Sequence, residues 1–90
     1  MLNFTKISDK AYYYCQLVKD IQRVRQYIVH PYDAYLYCRH IKDSPEMRKL
    51  INNSWSAYWY CCLVEDKPEV AKYITDVKHL QWYNDWKKKQ

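Results

Sequence analysis

Hydrophobic residues recur at helical spacing along most of this chain. In one segment the apolar positions follow the order i, i+3, i+4 and i+7, at Ala34, Tyr37, Cys38 and Ile41. This spacing places the side chains on one face of an α-helix, because each helical residue is turned by about 100° from the last. The same columns recur from Ala11 and from Ala57. The pattern predicts three helices, each with one face directed at a core.

The recurrence extends beyond these faces, because the chain repeats itself with a displacement of 23 residues. The three blocks read AYYYCQLVKDIQRVRQYI from residue 11, AYLYCRHIKDSPEMRKLI from residue 34 and AYWYCCLVEDKPEVAKYI from residue 57. The columns identical in all blocks are Ala11/Ala34/Ala57, Tyr12/Tyr35/Tyr58, Tyr14/Tyr37/Tyr60, Cys15/Cys38/Cys61, Asp20/Asp43/Asp66 and Ile28/Ile51/Ile74. A fourth copy begins in register at Leu80 and keeps Tyr83 in the repeated tyrosine column. Such self-similarity is typical of repeat architectures.

Each block also contains a second helical stretch. Pro45 and Pro68 stand where such a helix would begin, and a proline at the first helical position loses no hydrogen bond. The stretch continues through apolar residues to Ile51 and Ile74. We expect the repeated aspartates to cap these helices by accepting hydrogen bonds from free N–H groups. These are Asp20, Asp43 and Asp66.

The sequence therefore predicts an all-α fold, a short helix-pair repeat solenoid with three full repeats and a partial fourth. Isolated helices shorter than about 12 residues are marginal in water, so each pair must be stabilised by its neighbours. We expect one domain over residues 1–90. Its predicted parts are an N-terminal cap at 1–10, repeats at 11–33, 34–56 and 57–79, and a C-terminal cap with a basic tail at 80–90.

The amino-acid composition excludes several kinds of binding motif and turn. The chain contains no glycine, whereas P-loops, dinucleotide-binding turns and Asn-Gly hairpins all need residues that accept positive φ. Aromatic residues make up 18% of the chain, which supplies the bulk for a core without disulfides or a metal. The sequence predicts no cofactor.

Charge and hydropathy give weaker indications of partner and location. The net charge is +5, and Lys87, Lys88 and Lys89 account for three of these charges, which leaves +2 for the rest. That excess is too small to indicate a nucleic-acid partner. The sequence has neither the apolar run of a signal peptide nor that of a membrane span. We therefore expect a cytoplasmic protein with reduced cysteines and no membrane partner.

The repeated cysteines are interpreted as packing residues. Cys15, Cys38 and Cys61 lie on the inward face, and their spacing matches no zinc site. Cys62 points away from that face and is the better candidate for a reactive thiol. His30, His40 and His79 have no second ligand at metal-site spacing. No catalytic or metal-binding residues are predicted, and the chain is interpreted as non-enzymatic.

The repeated tyrosines Tyr12, Tyr35 and Tyr58 lie beside the core face and would align when the copies stack. One interpretation is that these rings pack between copies. The other is that they form an exposed aromatic surface with basic flanks, suited to a protein groove or to single-stranded bases. The candidate partner-binding residues are Tyr12, Tyr35, Tyr58, Arg25, Arg48, Lys49, Lys72, Trp82 and Trp86.

The motif AYxYCxxVxD, followed by PEVxxYI, resembles short tandem helical repeats of tailed-bacteriophage proteins. In those repeats alanine is more usual in the column of Cys15, Cys38 and Cys61, and a PEAE-like stretch is more usual where this chain has Pro45-Glu46-Met47-Arg48. The resemblance covers residues 11–74 and implies no catalytic residues. It implies a small phage protein that binds host machinery in the host cytoplasm.

Three functional hypotheses follow from the residues and the resemblance together. The first is an inhibitor that binds a host protein or a host-defence complex through its tyrosine-rich face. The second is an RNA-binding or single-stranded DNA-binding protein that uses the same face. The third is a self-assembling protein, because the exposed end of a short array is a natural site for self-association.

Overall fold

The structure is a computed structural model that describes the backbone of residues 4–90 and the side chains of residues 7–90. The part of the predicted N-terminal cap at residues 1–3 lies outside it. Within the described range the chain is all-helical, with no strand. The helices are α1 (Phe4–Leu17), α2 (Gln22–Arg25), α3 (Pro31–His40), α4 (Pro45–Arg48), α5 (Ser54–Leu63), α6 (Pro68–Ala71) and α7 (Val77–Lys88). The all-α prediction is confirmed.

Long and short helices alternate along the chain. The long helices α3, α5 and α7 begin at Pro31, Ser54 and Val77, and the short helices begin at the same 23-residue interval. The short helices have four residues each, which is less than the sequence predicted. After α4 the chain turns through bonds three residues apart, from Leu50 N–H to the Met47 carbonyl and from Ile51 N–H to the Arg48 carbonyl. The second apolar stretch is therefore one turn of α-helix followed by a tight turn.

The predicted capping role of the repeated aspartates is wrong. At the start of α4 the Ser44 hydroxyl accepts the hydrogen bond from Met47 N–H. The helices α2 and α6 have no side-chain cap. Asp43 is one residue too early to reach the N–H groups that Ser44 occupies, and its carboxylate points instead to the next long helix, where it accepts from Tyr60.

The long helices end without a residue at positive φ. In each of α1, α3 and α5 the carbonyl of the repeated tyrosine accepts two backbone N–H groups, four and five residues later, at 2.8 to 3.1 Å. The acceptors are Tyr14, Tyr37 and Tyr60. Helices very commonly end with a glycine in the left-handed region. This ending needs none, which agrees with a chain that lacks glycine and whose described residues all have negative φ.

The core is formed by the repeated small and apolar columns. Consecutive long helices contact one another, and each of α1, α3 and α5 also contacts the short helix that follows it. The alanine, cysteine and isoleucine columns are buried throughout, together with Met47 and Val70. The prediction that Cys15, Cys38 and Cys61 are buried is confirmed.

A hydrogen bond between a tyrosine and an aspartate joins each long helix to the loop of the preceding block. The Tyr37 hydroxyl donates to Asp20 at 2.7 Å, and the Tyr60 hydroxyl donates to Asp43 at 2.8 Å. The third bond runs from Tyr83 to Asp66. Each pair is separated by 17 residues. We call these three bonds the tyrosine–aspartate bonds.

A cation completes each tyrosine–aspartate bond. Arg25 lies 2.9 Å from Asp20, and Arg48 lies 2.9 Å from Asp43. In the third block Ala71 stands in the column of Arg25 and Arg48, so this block has no arginine for its aspartate. Lys87 instead lies 3.6 Å from the carboxylate of Asp66. Each of the three aspartate carboxylates is largely removed from water, and the cation and the tyrosine hydroxyl together supply its polar partners.

Tyr60→Phe tests the contribution of one tyrosine–aspartate bond to stability. The ring of Tyr60 is fully buried and stays in place, but Asp43 loses its hydroxyl donor. A hydrogen bond to a charged group contributes about 1.5 to 3 kcal/mol, and Asp43, whose side chain is 26% exposed, regains part of that from water. We expect a loss of about 1 to 2 kcal/mol in urea unfolding. The exposed Tyr27 provides the matched control Tyr27→Phe, and equal midpoints for the two variants would contradict the expectation.

The same bonds make stability depend on acidity. Burial raises the pKa of Asp20, but the hydrogen bonds from Tyr37 and Arg25 outweigh it, and the net pKa lies below its ordinary value. A carboxyl with a lowered folded pKa stabilises the fold above its unfolded pKa of about 3.9, and this stabilisation is lost as the pH falls through the folded value.

We therefore expect Asp20→Asn to destabilise the protein at neutral pH, with a difference from wild type that narrows below about pH 4. Urea unfolding of both proteins across this range measures the difference. Asp85→Asn at an exposed position is the control. A difference that is independent of pH would show that the charge of Asp20 contributes nothing.

Candidate functional site

The structure separates the predicted partner-binding residues into different environments. Tyr12 and Tyr35 are each only 2% exposed and belong to the core. They cannot form the exposed aromatic ladder that one interpretation required. For these two rings the other interpretation holds, since they fill space between helices. Tyr58 is half-buried.

Tyr58 belongs to a cluster of aromatic rings on α5 and α7. Its ring centroid lies 5.2 Å from that of Trp59, 5.9 Å from that of Trp82 and 6.3 Å from that of His79. Trp55 lies 5.3 Å from both Trp59 and His79. We call these five residues, Trp55, Tyr58, Trp59, His79 and Trp82, the aromatic cluster. Trp55 is 43% exposed and Trp82 is 44% exposed, so the cluster presents two indole rings to solvent.

Local sequence positions these rings. Trp55 and Trp59 are four residues apart on α5, and His79 and Trp82 are three apart on α7, so each pair shares a helix face. The start of α7 is fixed by Asp76, whose carboxylate accepts from the N–H groups of Lys78 and His79. The two helices contact one another directly. The cluster therefore rests on regular helices rather than on loops.

Ser54 orients the imidazole of His79. The Ser54 hydroxyl accepts hydrogen bonds from the backbone N–H groups of Thr75 and Asp76 at 3.2 and 3.0 Å, and it lies 2.8 Å from Nδ1 of His79. A hydroxyl has two lone pairs and one proton. Since both lone pairs accept backbone N–H groups, the proton is donated to Nδ1.

Sequence reasoning found Tyr58 and Trp82 but missed Trp55, Trp59 and His79. None of these three residues is repeated in the full blocks, because the corresponding positions in the preceding copy hold Tyr32, Leu36 and Ser56, and Trp59 recurs as Trp82 in the partial fourth copy. A search for repeated columns passes over them. The available signal was the i, i+4 spacing of the two tryptophans on one predicted helix.

The basic candidates lie in a different place. Arg48, Lys49 and Lys72 line a cleft of about 290 Å³ between α4 and α6, together with Pro45, Glu69 and Tyr73. In the preceding copy Glu46 accepts from Gln22 at 3.2 Å and lies 3.8 Å from Arg25. The cleft has Pro45 in the position of Gln22 and no amide to donate to Glu69.

Three of the candidates, one of them a cleft residue, have structural partners. Arg25 and Arg48 hold Asp20 and Asp43, so these guanidinium groups already support the fold. Trp86 is half-buried and stacks on Tyr83 at 6.1 Å between ring centroids. Lys49 and Lys72 are exposed.

The thiols are poor nucleophiles. Burial raises the pKa of Cys38 to about 11 and that of Cys61 to about 12. Cys62 is half-buried, and burial raises its pKa as well, although a hydrogen bond with Tyr58 lowers it in part. In the part of the chain with described side chains, no three His, Cys, Asp or Glu residues are placed to hold a metal ion.

Comparisons with family models, with curated proteins and with solved structures returned no match. Among the described residues, no helix is long and apolar enough to cross a membrane.

Labelling with a disulfide reagent tests the thiol environments. Nucleophilic attack requires the thiolate, which burial disfavours at all four sites. We expect native protein at neutral pH to be labelled slowly, first at Cys62, with the other three thiols reacting only on unfolding. Cys62→Ser is the matched variant. Rapid labelling at Cys62, at the rate of a free cysteine, would contradict this expectation.

Proposed function

We propose that this protein is a non-catalytic binding protein, built as a short helix-pair solenoid, which holds a partner protein at the aromatic cluster. The solenoid arrangement is supported by the three tyrosine–aspartate bonds and by the pairing of consecutive long helices. In such arrays each unit contacts its neighbours and the units together present an extended surface.

The observation that carries the proposal is the exposed edge of the aromatic cluster. Trp55 and Trp82 present large apolar surfaces to water while the rings beneath them pack tightly. Tryptophan and tyrosine are enriched among residues that dominate protein–protein binding energy. Because the rings are supported by α5 and α7, little conformational entropy is lost when a partner covers them.

The charges around the aromatic cluster favour a protein over a nucleic acid. Proteins that bind single strands combine stacking rings with a positive groove that follows the phosphates. The cation–ring pairs in the described part of the chain involve Tyr73 and Tyr83, neither of which belongs to the cluster. Lys49 and Lys72 line the separate cleft between α4 and α6. Single-stranded nucleic acid is therefore the second candidate.

The resemblance to bacteriophage repeats gives the proposal its biological setting. On that basis the partner is a host protein or a host-defence complex, the effect is inhibition, and the site of action is the host cytoplasm. The geometry of the aromatic cluster supports the binding step, and the identity of the target comes from the experiment below.

The experiment compares wild type with Trp55→Ala and Trp82→Ala in capture from nuclease-treated host lysate. Washing at about 1 M salt, where the Debye length is about 3 Å, removes partners held by surface charge. We expect one host protein to stay on the wild type and on the control Tyr27→Ala, which removes an exposed ring outside the cluster. Each tryptophan variant should bind that protein at least about thirtyfold more weakly, as a hot-spot loss of 2 kcal/mol implies.

The competing outcomes are distinct. Equal capture by wild type and both tryptophan variants would remove the aromatic cluster from the binding surface. Retention that disappears with nuclease and with salt, together with direct binding to a mixed-sequence oligonucleotide, would support the nucleic-acid candidate instead. All variants change exposed side chains, and circular dichroism checks that they remain folded.

A further inference from the structure

The first long helix ends in an exposed apolar face, and one of its positions is buried in the later copies. Tyr14 is 41% exposed, Leu17 is 75% exposed and Val18 is 68% exposed. In the following copies the tyrosine of the same column is fully buried, as Tyr37 and Tyr60. Tyr14 and Leu17 lie within one turn of each other on α1, and Val18 is the residue that follows its end.

The difference follows from what packs in front of each tyrosine. Tyr37, Tyr60 and Tyr83 each pack against the preceding block and donate their hydroxyl to its aspartate. Within the described part of the chain, no carboxylate lies within hydrogen-bonding distance of the Tyr14 hydroxyl, because α1 is the first described unit. Tyr14 therefore occupies the position of the stacked tyrosines, but no aspartate of a preceding block accepts from it within the described part of the chain.

The polar groups on this face are hydrogen-bond donors. Lys10 is exposed and lies one turn before Tyr14, on the same side of α1. Asp9 is five residues before Tyr14 and so lies about 140° away around the helix. Asp20 is already occupied by Tyr37 and Arg25. The face therefore combines an ammonium and a phenolic hydroxyl with two aliphatic side chains, and it offers no acid.

We propose that the face formed by Lys10, Tyr14, Leu17 and Val18, here named the open face, binds an amphipathic helix of another protein that presents a carboxylate to Tyr14. Three tyrosine–aspartate bonds in this chain define the acceptor that such a tyrosine takes. Lys10 adds an attraction for the same acid, and Leu17 and Val18 match an apolar helix face. This surface is separate from the aromatic cluster on α5 and α7, and it adds a second docking site to the proposed function.

A second copy of this chain fits the open face poorly. Packing of two open faces would bring Lys10 and Tyr14 together from both sides without a carboxylate to accept from them. Head-to-tail stacking would use the exposed side of α7, where Lys89 occupies the column of Asp66. The same side has Gln81 and Asn84 in columns that hold tyrosine and cysteine elsewhere, and its carboxylate, Asp85, stands in the column of Cys62 rather than in that of Asp66. A head-to-tail stack in the register of the repeat would therefore place Lys89 opposite Tyr14, whereas an acidic partner satisfies both Tyr14 and Lys10.

The experiment uses a displayed library of amphipathic helical peptides with randomised charged positions, selected on immobilised full-length protein. We expect the selected peptides to carry Asp or Glu beside an apolar face. Tyr14→Phe should weaken binding of a selected peptide roughly tenfold, since one hydrogen bond to a charged group is lost. Selection on Lys10→Glu should lose the acidic preference. Trp82→Ala should bind the same peptide as wild type does, which separates this site from the aromatic cluster.

Four results would overturn the proposal. The first is that the selected peptides show no enrichment in Asp or Glu, and the second is that selection on Lys10→Glu gives the same acidic preference as wild type. The third is a dimer in sedimentation that Leu17→Asp dissociates. The fourth is a mixed-sequence RNA that binds the protein only when Lys10 is present. The dimer would assign the face to a second copy, and the RNA would assign it to nucleic acid. Each variant changes an exposed side chain, and unchanged urea unfolding confirms that its fold is intact.

Discussion

The structure depends on a hydroxyl that donates to a carboxylate across the boundary between blocks. The short helices α2, α4 and α6 have only four residues, far below the length at which a helix is stable alone. The loops that precede them contain Asp20, Asp43 and Asp66. Because each aspartate accepts from a tyrosine of the next long helix, the loop is fixed by the neighbouring block as well as by contacts within its own block. Each block is therefore stabilised in part by a hydrogen bond from the block that follows it.

The tyrosine column performs two tasks at once. Its carbonyl ends the long helix by accepting two N–H groups, and its hydroxyl joins that helix to the preceding block. This combination makes glycine unnecessary at the helix ends. It also leaves the first tyrosine, Tyr14, with its backbone task fulfilled and its hydroxyl exposed. The tyrosine column therefore joins the later long helices to the blocks before them, and on α1 it leaves an exposed phenol.

The candidate surfaces arise where the copies differ. Trp55, Trp59 and His79 replace smaller or different residues of the preceding copy, and they create the aromatic cluster on α5 and α7. The repeat provides a common framework, and the departures from it give each end of the molecule its own surface chemistry.

The sequence by itself determined the 23-residue period, the all-helical class and the burial of the alanine, cysteine and isoleucine columns. These follow from periodicity, because helical spacing defines which residues share a face. Only the tertiary structure decided what lies opposite each face. In the structure Asp43 accepts a hydrogen bond from Tyr60 instead of capping a helix N-terminus. Tyr12 and Tyr35 are buried, and Lys49 and Lys72 line a cleft that does not include Trp82. Spacing within one helix carries no information on the distance to a neighbouring helix, which depends on how the blocks pack together.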